Sequence, residues 1–188
     1  ASLEFLEGKE LPGVAAGDPD EPALDVFASL FGRGKNSPLY KNIVKANVAP
    51  NVMAYNGCME SAGMIEFSAT AFPGIPMDKL MEAIEKAKAD FEENGVDLEE
   101  LASLKAENET SIYRRLQSVL GKAQLLARNK EFYGKADKFV DDIKAYSAVT
   151  AEEVMRVYEK YIKNANYVAV VAVPKGQTEL AISGSHPA

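Results

Sequence analysis

Gly34-Lys35 is the pair in this 188-residue chain whose type comes nearest to phosphate chemistry. A phosphate-cradling loop needs a glycine five residues before its Gly-Lys and a Ser or Thr after it, all following a strand. Here Ser29 holds the glycine position, Asn36 follows the lysine, and the preceding residues keep helical spacing. That context argues against nucleotide binding. Zinc chemistry of the His-Glu-x-x-His type needs two imidazoles on one helix face and a third ligand. The chain has a single histidine, His186, in a Ser-Gly-Ser-His-Pro-Ala tail, and a single cysteine, Cys58. It cannot build such a site, nor a cysteine-based one. Cys58 falls in a strand-like stretch and its only candidate base lies in the tail, so it reads as a small apolar filler rather than a nucleophile. The sequence therefore assigns no catalytic residue, metal ligand or cofactor to this chain.

The remaining charged groups have two readings each. Arg114-Arg115, Lys122, Arg128 and Lys130 could form a basic strip toward an acidic substrate; the solvated face of a long helix is the plainer account. Glu99-Glu100, Asp141-Asp142 and Glu152-Glu153 are sequence neighbours near helix starts, where the helix dipole favours them. Adjacent residues on a helix do not face one another, so they make poor acid/base pairs. A formal net charge of −7 argues against a nucleic-acid partner, which needs a basic face. No apolar run approaches the ~20 residues of a membrane span. The lone cysteine excludes an intrachain disulfide. A start at Ala1, without methionine or a signal pattern, suggests a processed product or an excised fragment.

The elements that would position these groups follow from periodicity. Leu3, Phe5 and Leu6 suggest a strand, and Leu11 to Ala16 a second extended segment broken by Pro12-Gly13. Asp20 or Glu21 before Pro22 suits a helix start, with Leu24, Phe27, Ala28, Leu30 and Phe31 on its apolar face and Gly32 as a left-handed stop. Ser37-Pro38 restarts a short helix. After Pro50, Val52–Met59 and Gly63–Ala71 read as a hairpin, the second strand alternating Ile65, Phe67, Ala69 and Ala71 with polar residues. Met77, Leu80, Met81, Ile84, Ala87 and Phe91 make one helical stripe. Asp97 opens a helix carrying Leu101, Leu104, Ile112, Leu116, Val119 and Leu120, which Gly121 bends or separates from a helix through Leu125, Leu126 and Phe132. Phe139, Ile143 and Tyr146 mark another helix, and Thr150-Ala-Glu-Glu is a capping box for the next. Tyr167 to Val173, apolar throughout, reads as a central, covered strand. The sum is an α+β fold: a mixed, largely antiparallel sheet with helices packed mainly on one face.

The run Asp25-Val-Phe-Ala-Ser-Leu-Phe-Gly-Arg-Gly-Lys-Asn-Ser-Pro-Leu-Tyr-Lys resembles the second-domain entry of the insulinase/pitrilysin (M16) metallopeptidases. Their pattern there is a helix ending in a glycine turn, then Ser-(x)-Leu-Tyr-Lys. The Val149–Ile162 helix and the strand after it are similar to that family's last two elements. The resemblance implies the same α+β, LuxS/MPP-like architecture, one non-catalytic domain over residues 1–174, with 1–20 as an entry segment and 175–188 as a tail or linker. Family members place a substrate-clamping arginine and tyrosine after Leu-Tyr-Lys. The corresponding positions here are Val44 and Asn51, seven residues apart and neither of the expected type. A valine offers no charged fork and an asparagine replaces a phenol poorly. The resemblance thus implies an inactive domain, like the second of a long pitrilysin-like chain. Its partners would be zinc-bearing M16 domains of the same chain or another subunit, together with peptide substrates. Zinc would sit in the parent protein, in a bacterial periplasm or cytoplasm, and not in this fragment. The alternative is a structural or assembly subunit of M16 descent with no peptidase role.

Overall fold

A computed structural model describes residues 2–7 and 14–186. Four strands form one antiparallel sheet in the order β2-β3-β1-β4: β1 (Ser2–Glu7), β2 (Val52–Cys58), β3 (Gly63–Thr70) and β4 (Tyr167–Ala172). The six helices among the described residues are α1 (Glu21–Gly32), α2 (Met77–Asn94), α3 (Leu98–Gln117), α4 (Val119–Tyr133), α5 (Lys138–Ala148) and α6 (Ala151–Tyr158). Two π turns, Tyr40–Val44 and Glu159–Lys163, complete the short helix after Ser37 and extend α6. The α+β class and the antiparallel hairpin agree with the sequence reading. Of the extended segment expected from Leu11 to Ala16, residues 11–13 lie outside the described residues, and 14–16 form no strand.

Alternation on β3 sets the layers. Ile65, Phe67 and Ala69 are buried against the helices, while Met64, Glu66 and Ser68 turn the other way. The core is a set of rings that joins four elements. Phe27 and Phe31 of α1 stack at 5.2 Å, Phe31 meets Phe67 of β3 at 5.3 Å, and both meet Phe91 of α2. Tyr158 of α6 closes the set at 5.3 Å from Phe91 and donates its hydroxyl to Glu92. Helices α3, α4 and α5 lie outside α1 as a further layer.

Three expectations are corrected. Gly32 is not a left-handed cap; it is the last helical residue, and Arg33 after it is extended. A Cβ at Gly32 would stand 2.5 Å from Ala54 Cβ and 2.8 Å from the Ala54 amide nitrogen, so glycine is needed for α1 to touch β2. Strand β4 is at the edge of the described sheet, not its centre. Val168 and Val170 are exposed because only the Ala169/Val171 side faces the helices, and Tyr167, at the first position of that side, is exposed as well. The long stripe of α3 also fails as a core face. Leu101 is buried, yet Val119 and Leu120 at the start of α4 are exposed. The break between α3 and α4 falls at Ser118, whose extended backbone and Oγ accepting from Gly121 N start a new helix.

The capping box of α6 is complete: Thr150 Oγ1 accepts from Glu153 N at 3.2 Å and Glu153 accepts from Thr150 N at 2.8 Å. Thr150→Ala removes one reciprocal bond at the helix that leads to β4 and should cost about 0.5–2 kcal/mol. Coincident urea midpoints for the two proteins would refute this.

Candidate functional site

The two clamp positions inferred from the sequence flank one turn. Val44 is the last residue of the first π turn and is half-buried; Asn51 is exposed immediately before β2. Between them Asn47 adopts φ 56°, and Val48 N donates to Ile43 O at 2.9 Å, which folds the chain back toward the sheet. Within the π turn the Asn42 amide donates to Pro38 O and to Asp90, and Tyr40 N donates to the Ser37 hydroxyl. Neither Val44 nor Asn51 brings a charge or a phenol to this turn.

A second group of polar residues meets where α1, β2 and α5 join. Asp25 accepts from Asn56 Nδ2 at 2.8 Å and from the hydroxyl of Tyr146, 121 residues away. Burial raises the Asp25 carboxyl above its usual range; the Tyr146 and Asn56 donors pull the other way, and the nearby Glu21 adds to the rise. Burial likewise raises the Tyr146 phenol, with the Asp25 charge next in size. Cys58 lies beside them, receiving an Asn56 amide hydrogen at 3.4 Å. Its thiol is pushed up to about 12, first by burial and then by Glu21 and Asp25. Such a thiol stays protonated at neutral pH and is a weak nucleophile. Asn56 Oδ1 is the one buried side-chain oxygen or nitrogen among the described residues without a hydrogen-bond partner. Sequence reasoning missed this group, since Asp25 and Tyr146 each sit on an ordinary helical stripe.

A third group centres on Asp20, just before α1. Its carboxylate accepts from Arg156 Nη2 at 2.6 Å, Tyr161 at 2.8 Å and Lys160 at 2.9 Å. Arg156 holds the carboxyl well below its usual range against the opposing effect of burial, with Lys160 and Tyr161 assisting. No capping bond is made by that side chain. Its work is to tie the start of α1 to α6 and the π turn after it.

The basic residues divide. Arg114 and Arg115 of α3 and Arg128 of α4 line one cavity of about 940 Å³ between α1, α3, α4 and α5; Lys122 and Lys130 do not. Lys130 donates to Gly134 O at the end of α4 instead. Among the described residues no three His, Cys, Asp or Glu side chains gather as a metal set. His186 is exposed in the C-terminal segment. That segment turns back along α2, where Ser183 donates through its amide and hydroxyl to Asp78.

A sheet covered by helices on one side, with Asp25 linking α1 to β2 and α5 and Asp20 linking the start of α1 to α6, defines an α+β domain. The peptidase M16 inactive domain matches residues 10–108, more than half of the chain, and the chain belongs to that family. No curated protein matches the sequence. A candidate zinc protease from Bordetella pertussis Tohama I shares the fold with a TM-score of 0.75 at 19% identity, over 92% of this chain and 94% of that one. A protease from Helicobacter pylori superposes with a TM-score of 0.76 at 20% identity, over 89% of this chain and 40% of the other. A peptidase M16 inactive domain from Pseudomonas fluorescens gives 0.71 at 17% identity, again over 89% and 40%. This chain therefore spans nearly all of the first relative and well under half of the other two.

Proposed function

We propose that this domain serves an M16 zinc metallopeptidase as a non-catalytic wall: it closes the proteolytic chamber and shapes peptide access. Zinc held by another domain or subunit would activate the water that cleaves the peptide bond. The observation that carries this reading is the sheet face opposite the helices. Strand register places Tyr55, Glu66 and Val168 in one row, and Met53, Ser68 and Val170 in the next, all on that face. Met53, Tyr55, Val168 and Val170 are each about half exposed, between 50% and 57%. An antiparallel sheet covered on one side ordinarily shows polar residues on the other. Apolar residues in four places suit a surface that other parts of a larger protein cover. The 40% coverage of the H. pylori protease is consistent with such a larger protein.

The test compares this chain alone with the chain joined to, or mixed with, the zinc-bearing part of its parent. Alone, it should neither hold stoichiometric zinc nor cleave unfolded peptides in a chelator-sensitive way. In the active assembly, Val44→Arg with Asn51→Tyr should leave turnover within about twofold, because these positions would lie away from the reacting bond. Removing a genuine transition-state donor, by comparison, costs ~10²–10³ in rate. A hundredfold loss from Asn51→Ala in a well-folded assembly would overturn the reading and make Asn51 a working contact to substrate. An assembly that binds no zinc and cleaves nothing would instead favour the structural-subunit alternative.

A further inference from the structure

We propose that the cavity between α1, α3, α4 and α5 binds a small multivalent anion, a polycarboxylate or an oligophosphate, on the guanidinium groups of Arg114, Arg115 and Arg128. The break at Ser118 is what creates the site. It ends α3 just past Arg114 and Arg115 and starts α4, so that Arg128 lines the same space as they do. In an unbroken helix these charges would spread along a solvated face.

The charge balance within the cavity favours an anion. Each acid that lines it is already engaged. Glu107 pairs with Arg33 at 3.0 Å, Asp142 with Lys138, and Asp25 receives Tyr146 and Asn56. Arg114, Arg115 and Arg128 have no ion pair with any described residue, in a chain whose formal net charge is −7. Guanidinium groups without an acid partner that line one space are suited to bidentate recognition of carboxylate or phosphate oxygens. A volume of about 940 Å³ is in the range of small-molecule sites and exceeds what one inorganic ion fills. The Tyr133 and Tyr146 side chains and Asn129 supply further polar lining toward the helices.

Calorimetric titration of the whole chain with citrate and, separately, with tripolyphosphate tests the assignment. Saturable one-to-one binding of at least one probe is expected, and the preferred probe tells a carboxylate ligand from a phosphate one. Arg114→Gln and Arg128→Gln should each weaken it about tenfold, the equivalent of one charge-assisted contact. Both side chains are exposed, so the variants should keep the wild-type thermal midpoint, which is measured alongside. Lys122→Gln, on the same helix as Arg128 but outside the cavity, should leave binding unchanged. No saturable binding of either probe up to about 10 mM, well beyond useful affinity, would overturn the proposal. So would equal weakening by Lys122→Gln, which would mean diffuse attraction to α4.

Discussion

Phe31→Ala is expected to destabilise the domain by about 3–5 kcal/mol, the usual range for deleting a fully buried ring. Phe31 has no exposed surface and meets rings from three directions: Phe27 one turn earlier on α1, Phe67 on β3 and Phe91 on α2. Its removal takes away the contact that joins the sheet to both helices at once, in addition to the transfer free energy of the ring. Gly32 next to it leaves little room for repair. With the backbone of α1 pressed against Ala54, the helix cannot slide inward to fill the void. A loss of this size approaches the whole margin of many single domains. Phe132→Ala is the matched control, since that ring on α4 is 56% exposed and should cost well under about 1 kcal/mol. Urea unfolding of the three proteins measures the difference. A Phe31→Ala change below about 1 kcal/mol would show that the aromatic set is not the centre of stability.

Local signals were legible in the sequence and long-range ones were not. The Thr150/Glu153 box, the alternation of β3, and the stripe Leu80–Ile84–Ala87–Phe91 are each determined within a few residues, and each appears in the structure as read. Gly95 ends α2 at φ 67°, as a glycine after Asn94 suggests. β4 misled because an apolar run looks the same whether its second face is covered by helices of its own domain or left open. Periodicity reports burial propensity, not who buries it. The stripe on α3 misled in a related way. Ile112 and Leu125 line a cavity rather than fill the core, and this depends on a helix break at Ser118 that propensity alone does not place.

The candidate sites divide along the same line. The motif that identified the family lies in one continuous stretch, Asp25 to Lys41, and the family match covers it. Asp25 itself, by contrast, acquires its partners from positions 31 and 121 residues away. The arginines of the cavity were visible as a basic set, but their convergence, and the exclusion of Lys122 and Lys130, requires the angle between two helices. Residue type was readable there, and juxtaposition was not.

Asp20→Asn should cost about 1.5–3 kcal/mol at pH 7, the range for hydrogen bonds to a charged group, with the lower half favoured because two of its partners are near solvent. Asp20 is only 11% exposed at its side chain, whereas Arg156 and Lys160 are about half exposed and can be rehydrated when the charge is lost. The pH dependence separates this carboxylate from a merely well-packed residue. Arg156, and after it Lys160 and Tyr161, hold the folded-state carboxyl below its unfolded value, which is close to 3.9. The ionised group is therefore favoured by folding. Its contribution is complete above the unfolded value and is lost as pH falls from about 4 through the lowered folded one. Wild type and Asp20→Asn should differ by a constant amount from pH 7 down to about 5 and converge below about 4, as protonation removes from the wild type what the substitution has already removed. A difference that stays level down to pH 2 would mean that the shape of the side chain, not its charge, ties α1 to α6. Acid would then loosen the domain through some other carboxylate.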